Sequence, residues 1–229
     1  MLKFSLQDKV AVIGLDDGKA NAVGHAFVDA MTEGLDRAEQ EAAAVVLTGR
    51  EGVFSAGFDL KELAKGAKEQ AALVNRGAAM LLRLFSFPQP VVVASAGHAI
   101  AAGALVLLAA DTRLGVSGAF KYGLNETAIG MSLPPFGMEM AKCRLSKRHQ
   151  TQAIIQAELY EPDMAQQVGY LDHVVAPDQL QSQAMQQAAA LAELPNEAYA
   201  NSKLDVRRDY IDRISASLAG GLAVPLGWQ

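Results

Sequence analysis

Pro90 to Arg113 reads PVVVASAGHAIAAGALVLLAADTR, and an earlier stretch, Val45 to Leu60, reads VVLTGREGVFSAGFDL. Both run in one order: a continuous apolar segment, a glycine-containing turn rich in small residues, then a helical pattern. Val91-Val92-Val93 and Ala43 to Thr48 lack polar alternation, so both read as buried strands of a parallel sheet covered on two sides. Ala102 to Ala110 reads as a buried helix, and Asp59 is placed to cap the helical stretch after the first turn. Each turn brings backbone N–H groups to the end of a strand beside a helix N-terminus. Amides there lack intrahelical acceptors, and the helix dipole is positive. Two such turns meeting in space form an anion cradle made of main chain alone. Two tight connections that use small residues only for close packing account for the same letters.

Working outward, Leu2 to Leu6 and Val10 to Leu15 predict two short strands, with Asp16-Asp17-Gly18 turning the chain after the second. Phe27, Ala30, Met31, Leu35 and Ala38 recur at helical spacing between His25 and Glu39. Ala71 to Phe85 predicts a helix stopped by Pro88 and Pro90. Near Gly130 the texture becomes mostly helical. Pro135 to Cys143, Ser146 to Ala157 with Ser146 as cap, Gln179 to Leu194 and Asn196 to Leu218 are the predicted helices. Another starts near Pro162 and ends before Gly169, and Leu171 to Val175 is a short extended piece. Gly220-Gly221 through Pro225 and Trp228 reads as irregular. The fold class is α/β. Residues 1–195 form the core with helical additions, and residues 196–229 a C-terminal helix and tail.

Composition narrows the function. The 229 residues are 51% apolar and 20% charged, with a formal charge of −5, a globular balance without the basic face that nucleic acid requires. Cys143, the one cysteine, excludes an intramolecular disulfide and any CxxC site. The start, MLKFSLQDKV, lacks a signal-peptide core, and the longest apolar run, Ala99 to Ala110, is too short for a bilayer span. A cytoplasmic protein with no membrane partner is expected. His25, His98, His149 and His173 show no metal-ligand spacing, so no metal is expected. There is no GxSxG elbow, HExxH or GxGxxG motif, and Gly14 to Lys19 is one residue short of a phosphate-binding loop.

Lys121 to Gly130, KYGLNETAIG, places Glu126 in a mostly uncharged stretch followed by SLPPFG. A carboxylate among apolar residues has a raised pKa and serves as a base near neutrality. A solvent-facing or helix-starting glutamate is the plainer reading of that residue taken alone.

Together these segments resemble the crotonase superfamily, the enoyl-CoA hydratase/isomerase family. VVLTGREGVFSAGFDLKEL looks like its first signature and PVVVASAGHAIAAGALVLLAADTRL like its second, with GLNETAIGMSLPPFGMEMA and AQQVGYLDHVV following in the expected order. The likeness runs from about Phe4 to about Ile214. It implies a spiral of ββα units, a helical trimerisation region, and a homotrimer or dimer of trimers acting on acyl-CoA thioesters. Coenzyme A belongs to the substrate, and no cofactor is implied. By position, the family's two oxyanion-binding amides fall on Ala56 and Ala102. Its CoA-binding residues fall on Ala56, Gly57, Phe58, Asp59, Leu60 and Gly103. Many members have three glycines where this chain has Ala101-Ala102-Gly103.

The resemblance also discriminates within the family. Hydratases resemble one another in using two glutamates, and Leu105 stands at the position of the first. Glu126 matches the second. GLNETAIG resembles the Δ3,Δ2-enoyl-CoA isomerase branch, in which one glutamate shuttles a proton. Leu105, Leu133 and Phe136 are candidates for lining the acyl pocket, and equally for plain core. Lys142, Arg144, Lys147, Arg148 and His149 form a basic cluster, either near CoA phosphates or as a solvated helix face. Asp111 and Asp172 read as structural. Hydratase or thioester hydrolase chemistry, and a non-catalytic acyl-CoA-binding protein, are the alternatives.

Overall fold

The computed structural model describes residues 2–220. The predicted tail beyond Gly220 lies outside the described residues. The chain opens with an antiparallel hairpin, β1 (Leu2–Gln7) and β2 (Val10–Leu15), then helix α1 (His25–Glu41). Strand pairs then alternate with helices: β3 (Ala44–Thr48), β4 (Gly52–Ser55), α2 (Leu60–Leu63) and α3 (Ala67–Phe85), then β5 (Val91–Ser95), β6 (Gly97–Ile100) and α4 (Ala102–Ala109). A third pair, β7 (Thr112–Val116) and β8 (Tyr122–Gly123), leads into α5 (Pro135–Arg144) and α6 (Pro162–Val168). β9 (His173–Val175), α7 (Leu180–Ala192) and α8 (Asn196–Ala219) close the described chain.

The first strand of each pair joins a six-stranded sheet in the order β1-β2-β3-β5-β7-β9, and the second joins a small sheet in the order β4-β6-β8. Apart from the hairpin, every strand pairing is parallel. The chain therefore advances along both sheets together, as a spiral of ββα units. Side-chain alternation explains the apolar runs. Ile13, Val45, Leu47, Val91 and Val93 point into the main core with α1, α3 and α4. Val12, Val46, Val92 and Leu114 face α7 through Leu180, Ala184 and Ala188. Strands covered on both faces cannot alternate in polarity.

One buried and one half-buried charge cluster hold the later helices to this core. Asp111, between α4 and β7, accepts from Lys203 Nζ at 2.6 Å, Arg207 at 2.8 Å and the Val91 N–H at 2.8 Å. Lys203 also donates to the carbonyls of Phe87 and Gln89, and Arg207 to those of Phe85 and Ala109. Burial brings the Lys203 ammonium down to about 8, although Asp111 pulls the other way. Asp172 binds Arg113 through its side chain and backbone N–H. Both aspartates thus serve structure. α8 packs on α5 and α3.

Three sequence expectations change. Gly52–Ser55 and Gly97–Ile100 are strands, where the glycines read as loop and break. The helix predicted from Ser146 is a short 3-10 turn, Lys147–His149, followed by a π-helical turn, Thr151–Ile155, and Ser146 makes no side-chain cap. The helix predicted from Ala71 starts at Ala67, after Gly66.

Candidate active site

The parallel register of the small sheet brings the chemistry together. Ser55, Ile100 and Gly123 are the last residues of β4, β6 and β8, three adjacent parallel strands. Phe58, Ala102 and Glu126 follow within three residues of those ends, where the chain leaves the sheet. Sites in α/β folds gather at this edge because loops there present main-chain and side-chain groups on a rigid frame.

The two glycine turns pack directly on each other. A Cβ at Gly57 would lie 2.8 Å from Ala101 Cβ and 3.3 Å from the Ala102 nitrogen, and one at Gly103 would lie 2.8 Å from Ser55 Cβ. Gly57 also has φ of +95°, in the left-handed region. Glycine is therefore required at both positions for the turns to meet. Asn21, buried and itself at positive φ, staples the first turn by donating to the carbonyls of Leu15 and Phe54. Its own carbonyl accepts from Ser55 Oγ at 2.7 Å.

This geometry corrects one assignment. The Ala56 N–H donates to the Ala20 carbonyl at 3.0 Å, so it is not available to an oxyanion. Phe58 lies in an isolated parallel bridge with Val23, in which Val23 donates to Gly57 and Asp59 donates to Val23. That pattern turns the Phe58 N–H away from the bridge. Among the described residues the N–H groups of Phe58 and Ala102 donate to no protein acceptor. The sequence alone misses this because Asp16-Asp17-Gly18 leads into a loop whose Ala20 carbonyl reaches across to the first turn.

Glu126 enters from the third strand. The Ala101 N–H donates to the Gly123 carbonyl at 2.9 Å, tying the second turn to the segment that carries the glutamate. Glu126 starts a 3-10 turn, Thr127–Ile129, and its carbonyl accepts from Ile129 and Met131. Its side chain is turned inward, with the residue only 7% exposed, and Oε2 has no hydrogen-bond partner among the described residues. Burial pushes its pKa up to about 7, against the pull of its own N–H and that of Asn125. A buried carboxylate with an idle oxygen and a pKa near neutrality fits a proton-transfer base.

The remaining expected residues fall into place unevenly. Asp59 accepts from the Lys61 N–H and caps α2, and Leu60 is exposed. Leu105 and Leu133 converge on Gly137, where a Cβ would lie 3.1 Å and 2.9 Å from their methyls. Leu105 and Phe136 are fully buried, and Leu133 is partly exposed. The basic cluster is dispersed: Arg144 donates to the carbonyls of Ala110 and Asp111, Lys142 pairs with Glu139, and Lys147 and Arg148 face solvent. A cleft of about 460 Å³ opens on the Asp59 side of the first turn, with Asp16, Asp17, Asn21, His25 and Glu62 on its walls. Glu126 does not border it. Among the described residues no cluster of metal-ligating side chains forms and no helix is long and apolar enough to cross a membrane.

Comparison with known proteins agrees with this geometry. The family model for enoyl-CoA hydratase/isomerase matches residues 5–222. The chain is 32% identical over 213 residues to enoyl-CoA hydratase domain-containing protein 2 of Bos taurus, named as mitochondrial, covering 89% of this chain and 70% of the relative. It is 30% identical over 210 residues to human mitochondrial enoyl-CoA delta isomerase 1, covering 90% and 70%. Among solved structures, an enoyl-CoA hydratase/isomerase family protein from Pseudomonas syringae superposes with a TM-score of 0.93 at 39% identity, covering 96% of this chain and 95% of the other.

Proposed function

We propose that this chain, which belongs to the enoyl-CoA hydratase/isomerase family, isomerises 3-enoyl-CoA to 2-trans-enoyl-CoA with Glu126 as its single acid–base group. The carrying observation is the buried Glu126 carboxyl, whose Oε2 is unpaired among the described residues, on the same sheet edge as two backbone amides that donate to none of them. Glu126 removes a proton from C2. The electron pair delocalises onto the thioester oxygen, which the Phe58 and Ala102 N–H groups stabilise. Losing one donor of this kind typically costs about 2.7–4 kcal/mol of barrier. The protonated carboxyl then delivers the proton to C4, the double bond moves from C3–C4 to C2–C3, and the base is regenerated. Nothing is added and nothing leaves.

Leu105 favours this reaction over hydration. Adding water across a double bond calls for one group to activate the water and another to place it, and leucine does neither. Burial is what sustains the raised pKa of the base. Gly57, Phe58, Asp59, Leu60 and Gly103 belong to the turns over which the CoA thioester passes. We further assign a homotrimer or dimer of trimers, which sedimentation velocity checks.

The test is a panel of 3-enoyl and 2-enoyl CoA thioesters of several chain lengths, read by absorbance and product mass. The expected result is growth of the conjugated-thioester band from 3-enoyl substrates at unchanged mass. A product heavier by one water from 2-enoyl substrates, without isomerisation, replaces this reading with hydratase activity. Binding without turnover across the panel replaces it with an acyl-CoA-binding role.

A further inference from the structure

We infer that Gly77, on the face of α3 opposite the first turn, is a positioning residue for the oxyanion cradle. It provides the notch that seats the Phe58 ring and so fixes the Phe58 amide. The inference rests on the reading that this amide binds the thioester oxygen. A Cβ built at Gly77 would lie 2.5 Å from Phe58 Cε1 and 2.8 Å from Cζ, so the ring rests where a side chain would otherwise stand. Gly77 is buried in the middle of α3, a helix of 19 residues, and has no left-handed φ. Glycine is a poorer helix-interior residue than alanine, because it loses more backbone freedom on folding. Its presence there therefore reflects the space it leaves and not backbone freedom.

That space matters because the Asn21 and Ala20 hydrogen bonds hold the first turn at Phe54, Ser55 and Ala56, and none of them reaches Phe58. Gly57 N–H makes only a long 3.3 Å contact with Ser55 Oγ, and Ala56 is exposed. The Val23 bridge holds Gly57 and Asp59, the residues on either side of Phe58. The ring, partly buried against the main core, anchors Phe58 itself. A methyl at Gly77 displaces the ring from its notch, and because the ring is also packed against the main core, the displacement is shared between its side-chain torsions and the Phe58 backbone that carries the amide. Displacements near 1 Å at a reacting centre cost about 10²-fold in rate.

The experiment is a size-exchange cycle: Gly77→Ala, Phe58→Leu and the pair together. It is read by kcat and KM for 3-enoyl-CoA, and by the enolate absorbance of bound acetoacetyl-CoA, which reports the cradle without turnover. Gly77→Ala is expected to lower kcat by about 10- to 100-fold with little change in KM, and to weaken the enolate band. The pair is expected to recover most of both losses, because leucine leaves room for the added methyl. If Gly77→Ala does not fold, the comparison of Phe58→Leu with the pair carries the test, and the pair must be the better enzyme. An unchanged kcat and band in folded Gly77→Ala, or a pair no better than the worse single variant, overturns the assignment. A wild-type protein that shows the band but no isomerisation overturns the proposed reaction and leaves the notch to be judged on the band. A wild-type protein with neither overturns both.

Discussion

Two carboxylates in this molecule are about equally hidden from water and are used in opposite ways. Asp111 has a side chain 8% exposed, and each of its oxygens meets a cation, with a backbone N–H added to one. Glu126 is 7% exposed as a residue, and one oxygen meets no hydrogen-bond partner among the described residues. A satisfied buried charge fixes structure, because every lone pair is committed. An unsatisfied one is costly to the fold and keeps an affinity for protons that the surroundings do not quench. Burial alone therefore does not separate a structural acid from a reactive one. The count of partners does.

The sharpest way to break this contrast is to remove the charge from each. Glu126→Gln is expected to lower isomerisation by about 10³-fold or more while leaving the circular dichroism spectrum unchanged, since only the proton carrier is lost. Retained turnover would remove Glu126 from the mechanism. Asp111→Ala leaves Lys203 and Arg207 facing each other in the core. It is expected to cost about 3–5 kcal/mol in denaturant unfolding, with activity per folded molecule largely kept. A variant as stable as the parent would mean that the cations find other partners.

pH sharpens the comparison further. The Glu126 pKa rises from 4.5 to about 7 on folding, so between those values the folded state holds a proton that the unfolded state has released. Stability from this group should fall as pH rises from about 4.5 to 7, by about 3 kcal/mol in all, and Glu126→Gln should flatten that slope. Activity runs the other way: kcat/KM should rise tenfold per pH unit up to about 7 and then level, because the base must be deprotonated to act. A pH-independent rate across that range would contradict the raised pKa. The smallest effect is expected at the hinge between the turns. Ala101 has φ of +51°, where L-residues are strained. Ala101→Gly should change thermal stability by no more than about 1 kcal/mol, relief of strain being offset by added freedom in the unfolded chain.

The sequence was most legible where one physical demand dominated. The buried strands, the capping Asp59 and the Pro162–Gly169 helix followed from apolar runs and terminal residues, and the uncharged stretch KYGLNETAIG singled out Glu126 as a candidate. The small sheet was hidden because its strands are short and begin at Gly52 and Gly97, which look like breakers in one dimension and allow close approach in three. The π-helical turn was hidden because helical spacing over Thr151–Ile155 does not reveal a wider ladder. That the Ala56 amide is already engaged was out of reach for another reason. It depends on the Ala20 carbonyl, 36 residues earlier, reaching the Ala56 amide, and no local pattern encodes that contact.

The seating of Lys203 and Arg207 also orders events during synthesis. Their acceptors include Phe85 and Ala109, the last residues of α3 and α4, so each helix ends on carbonyls that wait for cations encoded about a hundred positions later. While the ribosome is still translating, the emerging spiral carries a bare Asp111 carboxylate and uncapped helix ends at its centre. A released chain that stops at Pro195 should thus be protease-sensitive around residues 85–111, and one that includes Lys203 and Arg207 should be protected there.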